Sequence, residues 1–166
     1  ASKIEFTAKY TGSDINGSFE KFAADIVFDP AHLDKSAVRV EIPTSSIQTN
    51  YTERDQTLIG SPWFDAAKFP VAVYAANNFK KIADNKYRAD GTLTIKGIQK
   101  NIGFDFEFPD WQENADTVVA VMKSNFIISR NDFNIGEGEW AGEGMVANAV
   151  AVRLKIAARL NKKTAH

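Results

Sequence analysis

The sequence predicts an all-β fold: eight antiparallel strands closing into a barrel, with a short helical insertion as a lid. Three observations carry this. Apolar and polar residues alternate one by one along Lys3–Tyr10, Asn101–Phe108 and Val150–Ala157, the period-two signature of a strand with one dry and one wet face. The stretches are joined by short connections, which suit antiparallel neighbours. The alternation breaks for long only once, between Thr44 and Pro70, where apolar residues recur at helical spacing.

The first strand covers Lys3 to Tyr10. Gly12, Asp14 and Asn16-Gly17 mark a turn, the last pair being a hairpin signal. The second strand is expected over Ser18–Phe28, with Phe22, Ala24, Ile26 and Phe28 on one face. Asp29-Pro30 reads as a helix start, Asp29 capping and Pro30 in the first turn, for a short element reaching Lys35. The third strand, Ala37–Pro43, turns Val38, Val40 and Ile42 inward. Asn50 followed by Glu53 resembles a capping box, Tyr51, Leu58 and Ile59 share a helical face, and Gly60 ends that helix. A second short helical turn is expected over Pro62–Lys68. Strands resume at Val71–Lys81, Lys86–Ile95 and Gln99–Phe108, with Lys96-Gly97 turning between the last two. Val118–Ser129 and Ala147–Ala158 complete the set, separated by a loop rich in Gly and Glu over Asn134–Gly144. No repeat or linker divides the chain, so residues 1–166 are read as one domain.

Composition narrows the function classes. A net charge of -1 without a dense basic run argues against nucleic-acid binding. Cysteine is absent, so disulfide scaffolds and thiolate chemistry are excluded. No stretch reaches the roughly 18 apolar residues of a spanning helix. The start at Ala1-Ser2, directly before a strand, fits a mature chain after removal of a signal peptide, or a chain trimmed at that point.

Catalytic and metal-binding patterns are sparse. His32 lies in a short surface element and His166 is the last residue, so neither is placed for a nucleophile–base pair. With two distant His and no Cys, a metal site is not expected. Gly136-Glu137-Gly138 lacks phosphate-loop spacing, and its acidic neighbours would repel phosphate. What remains is aromatic mass, 12 Phe, 3 Trp and 4 Tyr. These side chains either fill a barrel or line a cavity for an apolar ligand, and composition alone leaves both open. A strand of about eleven residues is roughly 35 Å long, enough for a slot that takes an extended chain. Arg54 and Asp55 on the lid helix, with Arg130 and Asp132 after the seventh strand, are either surface pairs or a polar rim for a head group.

Several motifs in fixed order resemble the YceI-like, polyisoprenoid-binding family. They are Asn16-Gly17-Ser18-Phe19, Val27-Phe28-Asp29-Pro30, Thr44 to Thr49, Arg54-Asp55 with Leu58, and Trp63-Phe64-Asp65 with Lys68-Phe69-Pro70. The most specific are Gly91 to Gly97 and Ser129 to Ile135. The resemblance covers nearly the whole chain. It departs at Trp63, where many relatives have Phe, and at Asn134, where many have Gly.

The resemblance implies a lipocalin-like barrel that holds an isoprenoid lipid, such as ubiquinone or a polyprenyl phosphate, in a bacterial periplasmic or secreted protein with no catalytic cofactor. On this reading the chain transports or stores the lipid and is not an enzyme. Transient membrane contact and a homodimer are compatible with that role, and nucleic acid is not a partner. Tail contacts are expected from Phe6, Phe22, Ile26, Phe28, Leu93, Ile95, Phe104, Phe106, Met122 and Phe126, with Leu58, Phe64 and Tyr74 closing the pocket beside the lid. Head-group contacts are expected from Arg54, Asp55, Arg130 and Asp132. Two other readings stay open. One is a filled β-module that binds carbohydrate or protein through Trp111 and Trp140. The other is a barrel enzyme with an ionisable group inside.

Overall fold

The computed structural model describes residues 2–142 and 144–161, so the expectation for His166 lies outside the described residues. The elements are β1 (Lys3–Tyr10), β2 (Ser13–Phe19), β3 (Ala23–Val27), β4 (Ala37–Pro43), β5 (Ile47–Gln48), α1 (Thr52–Ile59), β6 (Val71–Ala83), β7 (Lys86–Ile95), β8 (Ile98–Glu113), β9 (Thr117–Ser129) and β10 (Ala149–Asn161). All ten strands belong to one antiparallel sheet in the order β3-β4-β6-β7-β8-β9-β10-β1-β2-β5.

The chain itself shows how far this sheet curls. β3 is one edge and β2 lies next to the other, yet only Glu20–Phe22 separates them. Four Cα steps reach at most about 14 Å, so the two ends of the sheet are brought together. Backbone hydrogen bonding from Glu20 N–H to the Ser46 carbonyl (3.1 Å) ties this link to the β5 side. The result is the expected curled barrel, with β3 and β5 left as its edges.

Ten strands stand where eight were expected, because the expected second strand is divided and a two-residue strand is added, and the turn before it falls earlier than Asn16-Gly17. Thr11 and Gly12, both at positive φ (49° and 84°), make the tight turn after β1. Asn16 and Gly17 are therefore inside β2, opposite Thr7 and Phe6. Asn16 holds the Thr7 hydroxyl through Oδ1 at 2.7 Å. A Cβ on Gly17 would lie 2.4 Å from Cζ of Phe6, so this glycine exists to let the Phe6 ring lie across the strand. The expected second strand then breaks at Glu20–Phe22 into β2 and β3, and the two-residue β5 is the remaining addition.

Short-range signals elsewhere were partly overridden. Asp29 does cap a turn, accepting from the Ala31 N–H at 2.9 Å, but only Leu33–Lys35 is helical, as one 3₁₀ turn. Asn50 is not the cap of α1. It sits at φ 63°, its N–H is taken by Oε1 of Gln48 (2.7 Å), and Tyr51 is the N-cap residue. Pro62–Lys68 folds as turns rather than helix. β8 runs on past Phe108 to Glu113, with a register shift between Glu107 and Asp110 that accommodates Pro109.

The inward rows follow from pairing. Gly17, Phe6, Val152 and Phe126 are cross-strand partners in turn. Phe126 stacks on Phe104 with centroids 4.7 Å apart, and Phe104 in turn faces Ala89, which faces Phe79. Large rings meet small residues along this row, which gives each ring room to lie across its neighbour. One end of the barrel is plugged by Phe28, Phe79, Tyr87, Phe106 and Phe108, whose rings contact at 5.2–6.2 Å, mostly edge to face. The other end is closed by Trp63, Ala72, Ile95, Phe133 and Ile135, with Leu58 and Phe64 packed against them.

Candidate functional site

Between these two clusters lies a cavity of about 500 Å³ whose wall is almost wholly apolar. Protein interiors rarely hold voids much larger than one water. A space of this size, lined by a continuous aliphatic and aromatic surface, falls within the range of small-molecule pockets.

Most residues expected to meet an apolar tail do line this cavity: Phe6, Ile26, Phe28, Leu58, Phe64, Tyr74, Leu93, Ile95, Phe104, Phe106, Met122 and Phe126. Phe22 is absent from the wall. It falls in the irregular Glu20–Phe22 link, where strand parity no longer fixes which way a side chain points. Tyr74 is part of the wall. Its hydroxyl donates to the Ile102 carbonyl (3.1 Å), and its ring lies 5.3 Å from Phe104. Burial, reinforced by the nearby Asp90 carboxylate, pushes this hydroxyl above its ordinary pKa, so it stays a neutral donor.

The insertion is pinned at both ends. Buried Thr44 donates its N–H to the Pro70 carbonyl (3.0 Å) and its hydroxyl to that of Phe69 (3.0 Å). The start of α1 is clamped onto Thr49. Arg54 donates through Nε to Thr49 Oγ1 and through Nη2 to the Thr49 carbonyl, both at 2.8 Å. Asp55 accepts from the Thr49 N–H (2.9 Å) and from its hydroxyl. Arg54 lines the cavity, whereas Asp55 does not. The two residues expected to meet a head group are thus turned onto Thr49, where they set the angle of the lid.

Arg130 also lines the cavity, and its guanidinium is held by loop backbone. It is 2% exposed, beneath the loop that follows β9. Its guanidinium donates to the carbonyls of Ala147 (3.0 Å), Ile135 (2.9 Å), Gly136 (3.4 Å), Gly142 (3.1 Å) and Val146 (2.7 Å), and to Oδ1 of Asn131 (3.4 Å). It also lies 5.8 Å from the Trp63 ring. Its donors organise loop backbone around the closed end. Asp132, next but one in the chain, is exposed and outside the wall. A 3₁₀ turn over Arg130–Phe133 separates the two directions.

Sequence reasoning missed Lys96 and Trp63. Lys96 forms the expected turn with Gly97, both at positive φ (54° and 74°). Its side chain, 5% exposed, reaches Glu137 Oε1 (3.0 Å) and the carbonyls of Asn134 (2.7 Å) and Pro62 (3.4 Å). It ties the β7–β8 turn to both loops over the closed end. Trp63, 7% exposed, lies between Arg130 and Trp140, whose ring is 5.5 Å away. Only a departure from a family pattern marked it in the sequence. Trp111 and Trp140 are both half-buried, Trp111 against Phe108 at 5.0 Å, so neither offers a flat exposed platform.

Comparison with known proteins agrees with this architecture. Residues 1–158 match the YceI-like domain. A UPF0312 protein of Yersinia pestis (strain Pestoides F) is 34% identical over 134 residues, covering 80% of this chain and 69% of that protein. BcnA of Burkholderia cenocepacia superposes with a TM-score of 0.86 at 28% identity, covering 95% of this chain and 96% of BcnA. A polyisoprenoid binding domain from Saccharophagus degradans, implicated in plant cell wall breakdown, shares the fold with a TM-score of 0.67 at 14% identity, covering 93% of this chain and 91% of that one. On the family match and the shared barrel, the chain belongs to the YceI-like family.

Proposed function

We propose that the cavity takes up the tail of an isoprenoid lipid, and that the protein carries or stores that lipid without transforming it. The observation behind this is the wall: an almost wholly apolar space of about 500 Å³ between two clusters rich in aromatic side chains. Burying a tail there yields roughly 25 cal/mol per Å² of apolar surface, offset in part by the entropy lost when a flexible chain is ordered. Polyisoprenoid binding by the S. degradans domain of the same fold supports the ligand class. An isoprenoid quinone such as ubiquinone and a polyprenyl phosphate both meet the requirement.

The setting we propose is the bacterial periplasm, with transient membrane contact during loading. Tyr10 and Tyr51 line the cavity yet are 41% and 53% exposed, and Met145, 40% exposed, neighbours Val146, the bridge partner of Tyr10. Tyrosines at an opening suit a surface that is apolar on one side and wet on the other. A homodimer would use the outer face of β9, where Val119 and Ile127 are exposed.

Titration of the protein with a water-dispersible isoprenoid quinone tests the reading. Trp63 and Trp140 line the cavity, so saturable, stoichiometric quenching of tryptophan emission is expected. No quenching by the quinone, together with a saturable response to soluble oligosaccharide, would overturn it in favour of a carbohydrate-binding module.

A further inference from the structure

Among the described residues, the buried polar side chains at the cavity wall have partners of their own, with one exception. Tyr74 spends its hydroxyl on Ile102, Arg54 its donors on Thr49, and Arg130 its donors on loop carbonyls. Trp63 differs. Its Nε1–H is the buried side-chain polar group without a hydrogen-bond partner among the described residues. Buried indole N–H groups ordinarily find an acceptor, and an unmade bond leaves the full desolvation cost in place.

Its position gives that donor a direction. The benzene edge of the indole lies against Gly136, where a Cβ would be 2.9 Å from Cζ3 and 3.2 Å from Cη2. The opposite, pyrrole edge carries Nε1 and is therefore turned away from Gly136. The ring lines the cavity at its closed end, and Leu58 and Phe64 pack against the same cluster.

We infer that Trp63 Nε1–H is the anchor for an acceptor oxygen on the ligand head, a quinone carbonyl or a phosphate oxygen, and so sets which isoprenoids are held. The inference rests on the lipid-binding reading above. It also orients the ligand: the head lies under the lid and the tail runs toward Phe28, Phe79 and Phe106. The half-buried side chains of Leu58 and Phe64 yield when the oxygen reaches Nε1, and no existing hydrogen bond is broken.

The test compares Trp63→Phe with the wild type toward three probes: an isoprenoid quinone, a polyprenyl phosphate, and squalene, an isoprenoid hydrocarbon with no oxygen. Loss of one hydrogen bond predicts about tenfold weaker binding of the quinone, at least that for the anionic phosphate if its oxygen is the acceptor, and little change for squalene. Whichever oxygenated probe shows the larger loss identifies the head oxygen. In isotope-labelled wild-type protein the Trp63 indole N–H resonance is expected to move downfield with that probe and not with squalene, a readout independent of how the variant folds. Equal weakening of all three probes, or an unmoved resonance with unchanged affinity, would overturn the anchor alone. Wild-type protein that binds none of the three would overturn the lipid-binding reading and the anchor with it.

Discussion

Phe104→Asp is expected to weaken isoprenoid binding by at least about 100-fold, roughly 3 kcal/mol. Phe104 is 8% exposed, stacks on Phe126 at 4.7 Å, leans on Tyr74 at 5.3 Å and faces Ala89 across the ladder. A carboxylate there has no acceptor-hungry neighbour facing it along this row. It either stays charged at a heavy desolvation cost or takes up a proton and still presents a polar group to the tail. Removing the ring also costs about 3–5 kcal/mol of stability, so folding is checked by circular dichroism. Phe104→Leu serves as control. It keeps the surface apolar, and binding is expected to fall by no more than a few-fold. A folded Phe104→Asp protein with wild-type affinity would mean that the ligand lies elsewhere.

Arg130→Ala is expected to act on stability instead. Among the described residues six acceptors surround this guanidinium, including the carbonyls of Val146 at 2.7 Å and Ile135 at 2.9 Å. Truncation leaves buried carbonyls without donors and removes a cation from the face of Trp63. The expected loss is about 3–5 kcal/mol, seen as a midpoint about 10 °C lower in thermal unfolding. Arg130→Lys is not expected to restore it, because one ammonium cannot serve acceptors spread around a planar fork. An Arg130→Ala protein as stable as wild type but unable to bind lipid would return this residue to the head-group role the sequence suggested.

These two residues mark where sequence reading succeeds and where it stops. Phe104 was legible because parity along β8 assigns Ile102, Phe104, Phe106 and Phe108 to one face, and a curled sheet has one concave side. The same logic placed β1, β4 and β7 at their observed bounds. It failed at Asn16-Gly17 because a turn signal and a close-approach glycine look alike in one dimension, and the deciding atom belongs to Phe6 on another strand. It failed for Phe22 once strand geometry lapsed. The charged residues were read by type, and type does not say what a guanidinium faces. Arg130 reaches Val146, and Lys96 reaches Glu137, 41 residues away, through loops that have no periodicity to follow. Arg54 and Asp55 share this limit: their common partner, Thr49, is a short-range contact that only the fold of the lid makes visible.

On the proposed function, lipid occupies the cavity in the working protein. The most direct test is organic extraction of protein purified without detergent from a bacterial host, followed by mass spectrometry of the extract. An isoprenoid, quinone or polyprenyl phosphate, is expected in near-equimolar amount. Protein that yields no lipid, and that takes up none when incubated with isoprenoid-containing vesicles, would contradict that function.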